Sequence, residues 1–319
     1  MLNLLIFTLV GVGAQLVDGA LGMAFGVTAT TLLIFSGVGA AHASAAVHLA
    51  EVGTTLVSGA AHWRFRNIDW KVVVRLGVPG AIGAFLGATV LSGLSTEAAT
   101  PVTAAILLGI GLYVALRFSV RPPAVAQART SPHTARFLSP LGFFGGFIDA
   151  SGGGGWGPIT TSTLLSRGKT APRTVIGSVS ASEFLVAVAA SAGFVLGLGR
   201  ESLGNLVIVA GLALGGALAA PLAAWLVSRV PATLLGTAVG GIIVLTNAQK
   251  LFDALDMPGA GVAVLYLLIT AGWTALLTIS WKRSRLTRAE TAGRLEELGT
   301  AVPPVLQEKN AVPTADRTP

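Results

Sequence analysis

The sequence predicts an all-α, polytopic membrane protein, and three observations support this: composition, long apolar segments and the placement of charge. Of the 319 residues, 53% are hydrophobic and only 11% are charged, and the mean hydropathy is +0.76. A soluble domain carries about 25% charged residues, so this chain has too few polar side chains to cover a globular surface in water. Cysteine is absent, which excludes disulfides and thiolate metal sites.

Seven segments have the length and apolar character of membrane-crossing helices. A helix needs about 20 mostly apolar residues to cross the hydrocarbon core of a bilayer. Two of the segments, 43–60 and 231–250, are slightly short or interrupted. The five that meet the requirement comfortably are 72–94, 98–118, 174–196, 204–228 and 258–281.

Two further apolar stretches, residues 3–36 and 137–166, are too long for one crossing. Each is interrupted near its middle by an aspartate and several glycines. An arm of about 15 residues reaches only about 22 Å at 1.5 Å per residue. Two complete crossings are therefore not expected from either stretch, and we predict a re-entrant pair or a broken helix in each.

Positive charge predicts the orientation in the membrane. Of the 14 Lys and Arg residues that precede the C-terminal tail, 12 fall on one side if each interrupted stretch returns to the side it entered from. Loops rich in Lys and Arg face the cytoplasm, which predicts an outside N-terminus and a cytoplasmic C-terminus. The net charge of +7 belongs to these loops and the tail, so nucleic acid is not an expected partner.

An internal repeat is predicted at an offset of about 131 residues, because several segments match in the same order. The match places Asp18 against Asp149 and Glu51 against Glu183. Each copy would contain one interrupted stretch and three crossings, an odd number that inverts the second copy. Inverted repeats with broken helices are the architecture of many secondary transporters, and the breaks mark the substrate site.

The predicted organisation has five parts, of which the last is polar, proline-containing and without periodicity. They are a first transmembrane repeat (1–118), a cytoplasmic linker (119–136), a second transmembrane repeat (137–250), a final transmembrane helix (251–285) and a disordered cytoplasmic tail (286–319).

Four acidic residues lie within the apolar segments as two matched pairs, Asp18 with Asp149 and Glu51 with Glu183. A charge in hydrocarbon costs from about 2.5 kcal/mol upward, so intramembrane acids indicate function. The aspartates have two compatible interpretations, helix capping and participation in a site. For the glutamates we favour proton handling or hydrogen bonding between the repeats, since no arginine lies within one helical turn of either.

Glycine-rich sequences at the two interruptions indicate a substrate site more strongly. A helix N-terminus offers unpaired N–H groups and a partial positive charge, which suit an anion. We predict that two such ends face each other near the membrane centre; the alternative is that the glycines only permit close helix packing. The predicted substrate-binding residues are Asp18, Gly19, Gly22, Phe25, Gly26, His48, Asp149, Gly153, Gly154, Gly155, Trp156, Gly157 and Ser180.

Other chemistries have little support in the sequence. HExxH and GxSxG motifs are absent, and the complete GxxxxGK[ST] pattern of a nucleotide-binding P-loop does not occur at the glycine run. We expect no enzymatic activity, cofactor or metal, and we expect His62, at a helix end, to lie at the membrane interface. Two alternatives stay open: a cation transporter that uses the four carboxylates, and a membrane-embedded enzyme or assembly factor.

The sequence resembles the TauE/SafE sulfite exporter family across residues 5–255. In the first copy of the family pattern this chain differs, because Val27 stands where proline is usual and His48 with Glu51 replaces small hydroxyl residues. The residues that carry the resemblance are Gly152 to Gly155 with Pro158, then Gly177, Ser178 and Ser180, and a loop element with His62, Arg64, Asn67, Ile68 and Asp69.

The resemblance implies export of sulfite, or of an organosulfonate such as sulfoacetate, across the bacterial inner membrane. Together with the predicted inverted repeats and intramembrane acids, this indicates a secondary transporter that works by alternating access, in which Glu51 and Glu183 would couple transport to protons. The expected partners are a small anionic substrate and the lipid bilayer, and a homodimer is compatible with the sequence.

Overall fold

The chain is all-helical in the part that the computed structural model describes, residues 2–21, 23–120, 130–167, 169–199, 206–227 and 231–300. No strand occurs in these ranges. The helices are α1 (Leu2–Leu21), α2 (Phe25–Phe35), α3 (Ala40–Arg64), α4 (Trp70–Ser92), α5 (Thr96–Val120), α6 (Ala135–Gly152), a π-helical turn (Gly157–Thr161) that continues into α7 (Ser162–Ser166), α8 (Pro172–Leu198), α9 (Leu206–Val227), α10 (Ala232–Ala254) and α11 (Gly259–Thr300).

Within the described residues, α4, α5, α8, α10 and α11 are long and apolar enough to cross a membrane. Helix α3 has the length for a crossing, but His48, Glu51 and other polar residues lower its hydropathy. Large apolar side chains are exposed on several of these helices, for example Leu267 of α11 at 71%. Apolar surface of this extent is unfavourable in water and suits contact with lipid. The chain is therefore a multi-pass membrane protein.

Each of the two interrupted stretches folds as two helical arms with a break between them. The expected arm length of about 15 residues is wrong, because the two arms of a stretch differ in length. The first arms, α1 and α6, have 20 and 18 residues, whereas α2, the second arm of the first stretch, has 11. An arm of 11 residues reaches only about 17 Å, so the second arm is too short to cross the membrane. The second break contains three consecutive glycines with positive φ, Gly153, Gly154 and Gly155, a conformation that side chains disfavour.

Close packing through glycine joins the long helices in pairs. Helix α6 packs on α4, and α1 packs on α9. A Cβ atom added to Gly146 of α6 would overlap the backbone of Gly80 in α4, and one added to Gly11 of α1 would overlap the backbone of Leu212 in α9. Small residues let helix backbones approach each other in a membrane, so the packing interpretation of glycine is correct for these helices.

The disordered tail predicted from residue 286 is wrong for residues 286–300, because α11 continues as a helix to Thr300. The sequence of this part is rich in Ala, Glu, Arg and Leu, which are strong helix formers. A helix that already exists in the membrane can also lengthen without the cost of a new nucleus. Residues 301–319 of the tail and 121–129 of the linker lie outside the described residues.

The substitution Gly146→Ala is expected to lower the free energy of unfolding by about 1–3 kcal/mol, because the new methyl group would overlap the backbone of Gly80. Gly109→Ala in α5 is the matched control, since no atom lies within 4 Å of its added Cβ. Thermal unfolding of the detergent-purified protein measures both. Equal unfolding midpoints for the two variants would contradict the packing of α4 on α6.

Candidate functional site

The two aspartates at the helix breaks cap the short second arms. Asp18 near the end of α1 accepts hydrogen bonds from the backbone N–H groups of Ala24 at 2.8 Å and Phe25 at 3.2 Å. Asp149 near the end of α6 accepts one from the N–H of Trp156 at 2.8 Å. Each carboxyl group thus reaches across its own break to the first residues of the next helix, where capping satisfies free N–H groups.

The two breaks contact each other through their backbones. Gly154 lies directly on Gly26 and Val27, and a Cβ atom at Gly154 would overlap both. The hydroxyl of Thr30 in α2 donates a hydrogen bond to the carbonyl of Gly153. The N-terminal end of α2 therefore meets the second break inside the protein.

A cavity of about 310 Å³ lies beside this contact. The end of α1, the two breaks, the C-terminal half of α3 and the N-terminal half of α8 form its wall, and all four intramembrane acids line it. The predicted site residues in the wall are Asp18, Phe25, Gly26, Glu51, Asp149, Gly155, Trp156, Gly157, Ser180 and Glu183.

The other predicted site residues have different positions. Gly153 and Gly154 form the contact between the breaks, so for these two the packing interpretation applies. His48 is fully buried behind Asp149, with its Nε2 atom 3.2 Å from Oδ2 of that residue. Gly19 lies in the last turn of α1, and Gly22 lies outside the described residues.

Two aromatic residues, Phe25 and Trp156, form apolar parts of the cavity wall. Trp156 is completely buried. Its indole N–H donates a hydrogen bond to the carbonyl of Val179 at 3.2 Å, and its ring packs on Gly80, where a Cβ atom would lie 2.6 Å from the ring. The ring is therefore fixed from both sides and gives the cavity a rigid wall.

Several polar residues of the cavity wall were missed by the sequence analysis. Thr54, Thr55 and Ser58, which follow Glu51 on α3, also line the cavity. The Ser58 hydroxyl lies 2.9 Å from that of Ser180. The signal that could have found them is their spacing of three, four and seven residues from Glu51, which puts them on one helix face.

His62 also lines the cavity, rather than lying only at the membrane interface as expected. It follows Ser58 by one helical turn on the same face of α3. Its Nδ1 atom is buried and has no hydrogen-bond partner among the described residues. A polar ring atom in this state is available to a ligand or to water in the cavity.

The four acids do not form a metal centre. Within the residues that the structure describes, no group of three or more His, Asp or Glu side chains is arranged to hold a metal ion. The aspartates bind backbone N–H groups at their own helix breaks, and the glutamates stand on α3 and α8. The cavity is thus surrounded by separate carboxyl groups.

Lipid-facing helices around two broken helices, with buried carboxyl groups at the breaks, define a membrane transporter. The family model "Sulfite exporter TauE/SafE" matches residues 7–249. The "Probable membrane transporter protein YtnM" of Bacillus subtilis (strain 168) is 45% identical over 293 residues, which are 92% of this chain and 97% of that protein. The chain belongs to the TauE/SafE sulfite exporter family. No solved structure matches it.

Family membership confirms the resemblance found in the sequence and the expectation of a transporter rather than an enzyme. A membrane-embedded enzyme is therefore no longer an alternative. The lipid bilayer and a small-molecule substrate follow as partners of a transporter of this family.

The substitution Asp18→Ala is expected to destabilise the protein by about 1 kcal/mol, because it leaves the N–H groups of Ala24 and Phe25 without their acceptor. Asp18→Asn is the matched control, since asparagine keeps an oxygen in the capping position. Thermal unfolding in detergent measures both variants. If Asp18→Ala unfolds at the same temperature as Asp18→Asn, the carboxyl group does not act as a cap.

Proposed function

We propose that the protein exports a small sulfur oxyanion, either sulfite or an organosulfonate such as sulfoacetate, across the bacterial inner membrane. The observation that carries the proposal is the position of two helix N-termini, at Phe25 and Trp156, in the wall of one cavity. The first N–H groups of a helix lack acceptors within the helix, and the helix dipole is positive there. A small anion is the ligand that suits such ends, and the family's sulfite export supports the substrate class.

The substrate would lie between the two helix ends. Asp18 and Asp149 already bind the N–H groups of Phe25 and Trp156, so the next residues, Gly26 and Gly157, offer N–H groups to the anion. Both glycines line the cavity. Further donors in the wall are the hydroxyl groups of Thr54, Ser58 and Ser180 and the ring of His62.

Glu51 and Glu183 are the proposed proton-coupling residues. Four charged carboxyl groups and an anionic substrate around one buried cavity would repel each other strongly. Anion binding is therefore favoured when at least one carboxyl group carries a proton. Glu51 is close to the anion-binding end of α2, since a Cβ atom at Gly26 would lie 2.8 Å from its Oε1 atom. A proton on Glu51 would act directly on the substrate.

Alternating access between two inverted repeats, residues 1–118 and 137–250, is the proposed transport mechanism. The pairing of helices supports it: α1 packs on α9 as α6 packs on α4, while α3 packs on α8 and α5 on α10. Gly83 of α4 lies on the carbonyl of Phe143, and Gly215 of α9, at an offset of 132 residues, lies on the carbonyl of Thr8. A two-fold axis that relates the repeats would place the first helix of each repeat against the corresponding long helix of the other, as α1 on α9 and α6 on α4.

The direction of transport follows from the charge of the substrate and the proposed topology. With the N-terminus outside and the C-terminus in the cytoplasm, the C-terminal half of α3 lies on the cytoplasmic side, so the cavity stands in the cytoplasmic half. The outward movement of one negative charge from a negative cytoplasm yields about 2.3 kcal/mol per 100 mV. The membrane potential alone therefore favours export of an anion.

A cation transporter is the second candidate, because all four acids line the cavity. In that case Asp149 would bind the cation directly, and Asp149→Asn would abolish flux of a cation such as Na⁺. The helix N-termini would then serve only for packing.

Efflux from proteoliposomes loaded with sulfite or a sulfonate tests the proposed function, with the voltage set by potassium and valinomycin. Outward flux should rise as the inside becomes more negative. Ser180→Ala, which removes a cavity hydroxyl, should raise the KM about tenfold. Ser191→Ala is the matched control, since Ser191 stands on the same helix but not in the cavity wall. No anion flux, with cation flux that Asp149→Asn abolishes, would overturn the proposal in favour of the second candidate.

A pH gradient imposed at fixed voltage tests the proton coupling. The anion flux of the unmodified protein should change with the gradient, because protons and substrate interact within one cavity. Glu51→Gln should remove most of this response, since glutamine keeps the size of the side chain but does not titrate. An anion flux that ignores the gradient in the unmodified protein would contradict proton coupling and leave voltage as the driving force.

A further inference from the structure

A buried histidine stands directly behind one of the capping aspartates. Nε2 of His48 on α3 lies 3.2 Å from Oδ2 of Asp149, and the two residues are 0% and 3% exposed. The ring of His48 packs against that of Phe194 in α8, with 6.0 Å between the ring centroids. Asp149 lines the cavity and His48 does not, so the imidazole reaches the cavity only through the carboxyl group of Asp149.

The hydrogen bonds around His48 determine which ring nitrogen carries a proton. Nδ1 lies 2.8 Å from the carbonyl oxygen of Ser44, and a carbonyl only accepts, so Nδ1 is protonated and donates. The hydroxyl of Ser44 does not supply that proton, because it donates to the carbonyl of Ala150 at 2.8 Å. Nε2 therefore faces Asp149 either with a second proton or as an acceptor.

The pair of His48 and Asp149 is electrically neutral in both of these arrangements. If Nε2 is protonated, an imidazolium pairs with a carboxylate; if it accepts, a neutral imidazole pairs with a carboxylic acid. A third arrangement, with no proton between the two atoms, would bring lone pairs together and bury a net negative charge. Burial of an uncompensated charge is unfavourable, so one proton lies between Nε2 and Oδ2.

The two repeats differ at this position. The residue that matches His48 at an offset of 132 residues is Ser180, whose hydroxyl lies 2.9 Å from that of Ser58. The first repeat thus receives no imidazole from the matching position. Of the two helix ends at the breaks, the one at Trp156 has a histidine behind its capping aspartate, and the described residues around Asp18 include no histidine hydrogen-bonded to that carboxyl group.

We propose that His48 is a positioning residue that holds Asp149 in an electrically neutral pair, and thereby leaves the helix N-terminus at Trp156 available to an anion. The inference rests on the proposed anion site. It adds His48 as a residue that makes this site select anions. Without the imidazole, a carboxylate at Asp149 would place a negative charge at the same helix end that has to attract the substrate. His48 would then act on the substrate entirely through Asp149.

A double-mutant cycle tests the inference, because interacting residues have non-additive effects. His48→Gln removes the titratable ring and keeps an amide donor, and Asp149→Asn removes the charge and keeps the oxygen that accepts from Trp156. In the otherwise unmodified protein, His48→Gln is expected to raise the KM for sulfite about tenfold. In the Asp149→Asn protein, the same change should alter the KM by less than about twofold, because no charge remains to be cancelled.

The results of this experiment distinguish failure of the role of His48 from failure of the proposed anion transport. If the unmodified protein moves no anion, the proposed function fails and the inference fails with it. If the unmodified protein moves sulfite but His48→Gln raises the KM equally in both backgrounds, the anion transporter stands and the role of His48 is wrong. Loss of kcat with an unchanged KM would also contradict it, because a merely structural histidine has that effect.

Nitrogen NMR of protein labelled with ¹⁵N-histidine tests the inference without transport. His48→Gln assigns the signal among the four histidines of the chain. The inference predicts a protonated Nδ1 for His48 at neutral pH and an Nε2 signal that shifts in Asp149→Asn. A His48 ring protonated only at Nε2 would overturn it, whatever the flux measurements give.

Discussion

The structure depends on the backbone contact between the two helix breaks, where Gly154 lies on Gly26 and Val27. Any side chain at Gly154 would separate the breaks, and its φ of +146° already favours glycine. Because the breaks touch, the carboxyl groups that cap them, Asp18 and Asp149, come to line one cavity. The long helices bring the breaks together through a second set of glycine contacts, between α4 and α6 and between α1 and α9.

The chemistry of the cavity is governed by carboxyl groups that are buried inside the protein, such as those of Glu51 and Asp149. Helix N-termini attract an anion, whereas four carboxyl groups repel it, so the protein has to cancel part of the negative charge. The capping bonds to Asp18 and Asp149 supply part of this compensation. His48 supplies more at Asp149, and protons on Glu51 and Glu183 would supply the rest. The four acids would then not bind a cation. Their charge would instead regulate how well the cavity binds an anion.

Much of the fold could be predicted from sequence, because helix length and apolar composition are local properties. The two helix breaks were predicted because aspartate and glycine interrupt stretches that are too long for one crossing, and the four acids in the apolar segments do line the cavity. The polar face of α3 was missed, since Thr55 and Ser58 gain importance only when α8 places Ser180 opposite them. The position of His48 behind Asp149, and the glycines that pack rather than bind, depend on tertiary contacts that spacing does not reveal. The helix beyond residue 286 was missed because polarity was taken to indicate disorder.

The sign of the charge that crosses the membrane distinguishes an anion transporter from a cation transporter. Proteoliposomes on a solid-supported membrane give a transient current when sulfite is added, and the accompanying cation can be exchanged without other changes. If sulfite binds at the helix N-termini, the current corresponds to moving negative charge and is the same with sodium, potassium or choline as the counter-ion. A current that reverses in sign, or that depends on which cation is present, would contradict an anion site at the helix N-termini.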